Sequence, residues 1–159
     1  MSNAPVDTSG VRVFPPAIYL AGLLAGFMVQ RFWPLRIAPL GVAAATRLLG
    51  IALVVSGLGL AVWAIRTFRS VGTTPNPTRP ATALASGGPY RFTRNPMYLS
   101  LGVASAGIAA LANALWPLLF VPVVLLVVQR IVIVQEERYL ERKFGQEYLA
   151  LKARVRRWL

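Results

Sequence analysis

Three stretches of this chain carry no charged residue: Val13 to Gln30, Leu48 to Ile65, and Asn95 to Gln129. An apolar run of about 18 residues or more is long enough to cross a bilayer as a helix. Three such runs within 159 residues point to an integral membrane protein built from helices. The composition agrees, with 56% apolar and only 14% charged residues, a balance too apolar for an ordinary soluble domain. The net charge of +12 would also suit a nucleic-acid binder. In such a protein, however, long uncharged runs would not separate the basic residues. No nucleic-acid partner is expected, and the basic residues read as flanks of membrane spans.

The third run is too long for one crossing. As a single helix at about 1.5 Å per residue it would reach roughly 50 Å, against a hydrocarbon core of about 30 Å. Asn113 to Pro117 is the natural break, with Trp116 as an interface anchor. About four spans result, covering 13–33, 47–68, 96–111 and 116–134, after a polar tail at 1–12 with Asp7 and Arg12. The first run resembles a signal peptide with Ala25-Gly26-Phe27 as a cleavage site, but no Lys/Arg cluster precedes it. Gln30-Arg31-Phe32-Trp33-Pro34 reads instead as an interfacial belt, so an uncleaved span is expected. Gly50, Ser56, Gly57 and Gly59 give the second span a small-residue face. Close helix packing explains Gly57-Leu58-Gly59 better than a nucleotide-binding turn does, and glycine-rich spans permit a homodimer.

The fourth span must continue past Arg130, which either snorkels to the interface or pairs with Glu137. Beyond Gln135 the helix is expected to leave the membrane as an amphipathic extension ending near Phe144-Gly145. At 100° per residue Ile133, Glu137, Leu140 and Phe144 share a face, Glu136 flanks it, and Arg138, Arg142 and Lys143 point away. Gln146 to Leu159, with Lys152, Arg154, Arg156 and Arg157, reads as a surface helix against anionic headgroups. An even number of spans puts this basic tail on the same side as the 69–94 loop. The positive-inside rule makes that side cytoplasmic, in an inner cell membrane.

The polar segment ahead of the third span carries the chemistry. Asn95 followed by Pro96 reads as an N-cap and a first helical residue, aiming free N–H groups and a positive dipole end toward Arg91 and Arg94. That arrangement collects an anion. Glu136 and Glu137, the only adjacent carboxylates in the chain, would accept a cation on the same face. The 69–94 loop is rich in Pro and Gly and long enough to be functional, and Tyr90, Phe92 and Tyr98 suit an ordered lid. Asn76 and Arg79 in that loop would bind an acceptor or cap turns. With no Cys and no His, disulfides, Cys/His zinc sites, thiol nucleophiles and imidazole bases are excluded, and no metal is expected.

Two blocks resemble the isoprenylcysteine carboxyl methyltransferase and phospholipid methyltransferase family of integral membrane enzymes. The first runs Gly88-Pro89-Tyr90-Arg91-Phe92-Thr93-Arg94-Asn95-Pro96-Met97-Tyr98. The second runs from Glu136-Glu137 to Phe144-Gly145-Gln146-Glu147-Tyr148. The match covers about half the chain. Asn95 stands where the carboxyl methyltransferases have His, which is closer to the phosphatidylethanolamine methyltransferases.

The resemblance implies methyl transfer from S-adenosyl-L-methionine, leaving S-adenosylhomocysteine, to a lipophilic acceptor such as an isoprenoid carboxylate or a phospholipid amine. Gly88, Pro89, Tyr90, Arg94, Asn95, Pro96, Tyr98, Glu136, Glu137, Leu140 and Phe144 would then form the cofactor site. The cofactor's carboxylate would lie on Arg94 and the Asn95-Pro96 helix start, and its ammonium and ribose on the glutamates. Its sulfonium would face Tyr90 or Tyr98, and its adenine Leu140 and Phe144. Arg154 aligns with a family arginine associated with catalysis; here it would hold the acceptor's anionic group or attract headgroups. Glu137 is the other residue assigned a catalytic role. Two alternatives share the fold: an NADPH-dependent membrane reductase and a non-catalytic membrane subunit.

Overall fold

The structure, a computed structural model, describes residues 9–11, 13–73 and 80–159. Asp7, Arg12, Pro75, Asn76, Pro77 and Arg79 lie outside the described residues. Among the described residues six α-helices follow one another: α1 (Pro15–Phe32), α2 (Ala43–Ser70), α3 (Pro96–Leu111), α4 (Leu115–Val128), α5 (Val134–Phe144) and α6 (Gln146–Arg154). A π-turn at Gln129–Ile133 joins α4 and α5 into one rod, Leu115–Phe144. Short 3-10 turns occupy Leu40–Val42 and Gly88–Arg91, and the described residues include no strand.

Helix ends follow local chemistry. Prolines open α1 and α3, where a missing N–H costs nothing. The chain reverses between α3 and α4 at Asn113, whose backbone is left-handed at φ 48°, a conformation Asn tolerates better than most residues. Its side chain also grips Ala38 at both ends, Oδ1 accepting the Ala38 N–H and Nδ2 donating to the Ala38 carbonyl, each at 2.9 Å. Trp116 Nε1 donates to the Trp33 carbonyl at 2.8 Å. The break expected at 113–117 is therefore real, and it is stitched to the α1–α2 connection at the far end of α3 from Asn95.

Small residues let the helices approach closely. A methyl group on Gly107 of α3 would sit 2.7 Å from Val54 N and 2.8 Å from Gly50 O of α2. One on Gly57 would meet Ser100 O at 2.8 Å and Ala104 N at 2.9 Å. Backbone-to-backbone contact of this kind drives helix association where lipid removes the hydrophobic incentive. A methyl group on Gly26 of α1 would likewise lie 2.5 Å from the Cα of Pro117 in α4. Of the expected small-residue face, Gly50 and Gly57 are used, while Gly59 faces open space.

By length and composition, two rods among the described residues can cross a membrane: α2 and Leu115–Phe144. The expectation was four. Helix α3, although apolar, has 16 residues and reaches only about 24 Å. The amphipathic reading of α5 holds, with Ile133 and Glu137 buried and Arg138 and Arg142 exposed. Of 146–159, Gln146–Arg154 is helical with Lys152 and Arg154 exposed, but one face of it is packed on the protein. Tyr148, Leu151 and Val155 are buried and pack with Leu84, Leu140 and Phe144. The tail beyond α6 then returns to the start of α3.

Candidate functional site

The start of α3, the 3-10 turn before it, α5 and α6 enclose a cavity of about 130 Å³. Its wall includes Tyr90, Arg94, Asn95, Pro96, Tyr98, Glu136, Glu137 and Leu140 from the expected set, so eight of those residues come together in space. Phe68, Met97, Tyr139 and Tyr148 also line it.

Gly88 stands behind the wall. It adopts φ 53°, and a methyl group there would lie 2.4 Å from Thr67 Oγ1. Only glycine lets the turn lie this close to α2. Pro89, fully buried, follows it, and the turn delivers Tyr90 to the cavity, edge-on to Phe68 with ring centroids 5.0 Å apart. Phe144 packs in the Tyr148–Leu151 cluster and does not line the cavity. Arg154 is exposed at the end of α6 and is not part of the wall. The tail arginine that reaches the site is Arg157.

The polar groups divide by charge. Glu137 receives Arg94 Nη1 at 3.0 Å and both Arg157 Nη2 at 2.7 Å and Arg157 Nε at 3.0 Å. These bonds raise the Arg157 pKa, against the opposing effect of its partial burial. Arg94 Nη1 also donates to Tyr148 Oη at 3.3 Å. Burial, with the Glu137 charge adding, pushes the Tyr148 phenol up to about 12, while Arg94 pulls the other way. Burial likewise raises the pKa of Tyr90, and the charge of Glu136 adds to the effect.

Among the described residues Arg94 Nε has no hydrogen-bond partner, although it is buried. A buried guanidinium N–H without an acceptor is uncommon and costly. Arg94 is a residue of the cavity wall.

Glu136 contributes the opposite sign. Tyr98 Oη donates to Glu136 Oε1 at 2.7 Å, and no cation of the described residues lies at ion-pair distance. Tyr98 thus spends its hydroxyl on orienting a carboxylate. Its carbonyl accepts the Tyr19 hydroxyl at 2.7 Å, tying α1 to the site.

Asn95 occupies the N-cap position without a side-chain cap bond. This corrects the expected role of its amide. Nδ2 donates instead to the Arg157 carbonyl at 3.0 Å, beside Thr93 Oγ1, which donates to the same oxygen at 3.0 Å. The expectation that both glutamates await a cation is corrected too, because Glu137 already holds two guanidinium groups. Of the two readings of Arg130, the exposed side chain agrees with snorkelling, and Glu137 is taken by Arg94 and Arg157.

Sequence reasoning missed Arg157, Tyr19 and the bond from Trp158 Nε1 to Gln129 Oε1 at 2.7 Å. None sits at a spacing that local periodicity would single out.

The described residues are helical, two apolar rods are of bilayer length, and a cavity is lined by charges of both signs, which fits a membrane-associated protein. The sequence model of the phospholipid methyltransferase family matches residues 45–147, and the chain belongs to that family. Membership makes it a methyltransferase of the kind that acts on lipid-type substrates. An uncharacterized protein of Haemophilus influenzae is 48% identical over 65 residues, covering 40% of this chain and 100% of that protein. No solved structure matches the chain.

Proposed function

We propose that the chain binds S-adenosyl-L-methionine in this cavity and transfers its methyl group to a lipophilic acceptor arriving from the bilayer. One observation carries the reading: Arg94, whose Nε has no partner among the described residues, and Glu136, which pairs with no cation among them, line a single cavity. A free amino acid end bears a carboxylate and an ammonium, and those two groups complement this pair. Tyr90, Phe68 and Leu140 supply apolar and aromatic surface for a sulfonium and an adenine.

The bound cofactor supplies an activated methyl group; the protein has to position it and keep water out. Arg94 and Glu136 fix the amino acid end, and the aromatic wall limits rotation of the remainder. Burial of Leu151 and Tyr148 closes the cavity on the α6 side. An amine acceptor has to lose its proton before transfer. A carboxylate acceptor needs no base.

The same reading takes α1 and α3 as the companions of α2 and the long rod in a four-helix membrane unit. The cavity end then faces the cytoplasm, where the exposed Arg69, Arg91, Arg138, Arg142 and Arg156 gather.

Calorimetry on the full chain in lipid nanodiscs tests the proposal. S-adenosylhomocysteine should bind, NADPH should not, and Glu136→Gln should weaken the former by about tenfold or more, the loss of one charge-assisted contact. Binding of NADPH without S-adenosylhomocysteine would overturn it in favour of a reductase.

A further inference from the structure

Arg157 sits on a short tail that leaves α6 at Val155 with extended backbone. The tail crosses the start of α3 through main-chain bonds. Arg156 O accepts the Arg94 N–H at 3.0 Å, and Arg157 O accepts from both Thr93 Oγ1 and Asn95 Nδ2. Trp158 anchors the far end on Gln129. All of these tail residues lie beyond the segment that the family pattern matches.

The tail thereby fixes where the Arg157 side chain falls, and its planar fork meets Glu137 at both oxygens. Arg94 reaches the same carboxylate with Nη1 alone. A guanidinium facing a carboxylate by itself gains most from a two-bond fork. For Arg94, adopting that fork through its Nε edge would commit Nε to Glu137. Arg157 already covers Oε2 and shares Oε1, so Arg94 is left with one contact and keeps Nε unpartnered.

We propose that Arg157 is a positioning residue: by saturating Glu137 it leaves Nε of Arg94, a residue of the cavity wall, free for a ligand's carboxylate. The inference rests on the cofactor reading above, in which that carboxylate belongs to the amino acid end of the methyl donor. A residue that merely cemented the tail would weaken every ligand of the cavity alike. This role is confined to ligands that carry the carboxylate.

The test compares S-adenosylhomocysteine with 5′-methylthioadenosine, which shares the nucleoside and thioether but lacks the amino acid end. Both are titrated into the full chain in nanodiscs, as wild type, Arg157→Gln and Arg157→Lys. Arg157→Gln should weaken S-adenosylhomocysteine by about tenfold and 5′-methylthioadenosine by less than about twofold. Arg157→Lys keeps the charge without the fork and should recover part of the loss. Equal losses for both ligands, or no loss for either, would overturn the assignment.

If the wild type binds neither ligand, the cofactor reading is what fails, and the Arg94 Nε–H signal in a nitrogen-15 spectrum decides this inference separately. Arg157→Gln should displace that signal, and an unmoved signal would overturn the positioning role.

Discussion

Arg157 and Glu137 face each other through two parallel bonds, Nη2 to Oε2 at 2.7 Å and Nε to Oε1 at 3.0 Å. Arg94 adds a third contact to the same carboxylate. One position earlier, Glu136 meets only the Tyr98 hydroxyl among the described residues. Two glutamates adjacent in sequence are thus separated in role. One is neutralised by two guanidinium groups, and the other lines the cavity with no cation of the described residues at ion-pair distance.

Replacing each glutamate by Gln should expose this division. Glu137→Gln leaves two guanidinium groups facing a neutral amide, the situation that makes removal of one partner of a buried ion pair expensive. A loss on the order of 3 kcal/mol is expected, toward the lower end of that range because the Arg157 side chain is 31% exposed. Glu136→Gln should stay within about 0.5 kcal/mol of wild type, since the amide oxygen can still accept from Tyr98. Thermal unfolding in detergent measures both.

The α2–α3 contact makes a second prediction. Gly107→Val forces a side chain against Val54 N, 2.7 Å from the new Cβ, and should destabilise by about 1–3 kcal/mol or separate the two helices. Gly59→Ala, pointing into open space, should be neutral or stabilising by up to about 1 kcal/mol. The pair of midpoints, read side by side, distinguishes close packing from a general intolerance of change in α2 and α3.

Alkaline titration gives a third. The Tyr148 phenol titrates near 12 in the folded chain and near 10 when unfolded, so folding favours its protonated form. Its contribution is complete below about pH 10 and is lost as pH rises toward 12. Tyr148→Phe should therefore flatten the fall in stability across that window relative to wild type. Parallel slopes in the two proteins would contradict the burial of this hydroxyl beside Glu137.

Much of this was legible in the sequence, and the exceptions share a cause. The start of α3 at Pro96, the break around Asn113 and the face joining Ile133 to Phe144 follow from proline chemistry, span length and the 100° period. The face was read correctly because it lies almost wholly downstream of the π-turn; a count carried through Gln129–Ile133 from Trp116 would have slipped. The site was legible where motif residues meet directly, as Arg94, Tyr98 and the glutamates do. It was not legible where a partner comes from elsewhere in the chain. Arg154 and Arg157 look alike in a basic tail, and only the tail's return to Thr93 and Asn95 selects the second. Asn95 likewise has the side chain of a helix cap, but the Arg157 carbonyl claims its amide. Local propensity gives way there to a tertiary partner.

The wide turn at Gln129–Ile133 has one more implication. Its i to i+5 bonding pattern takes up a surplus residue within the rod and spares the helices on either side. A rod regular throughout would answer any single-codon insertion by swinging everything beyond it through about 100°. Here the irregularity acts as a slip joint. The apolar length facing the lipid and the direction in which the carboxylates point can therefore diverge in descendants of this chain without one dictating the other.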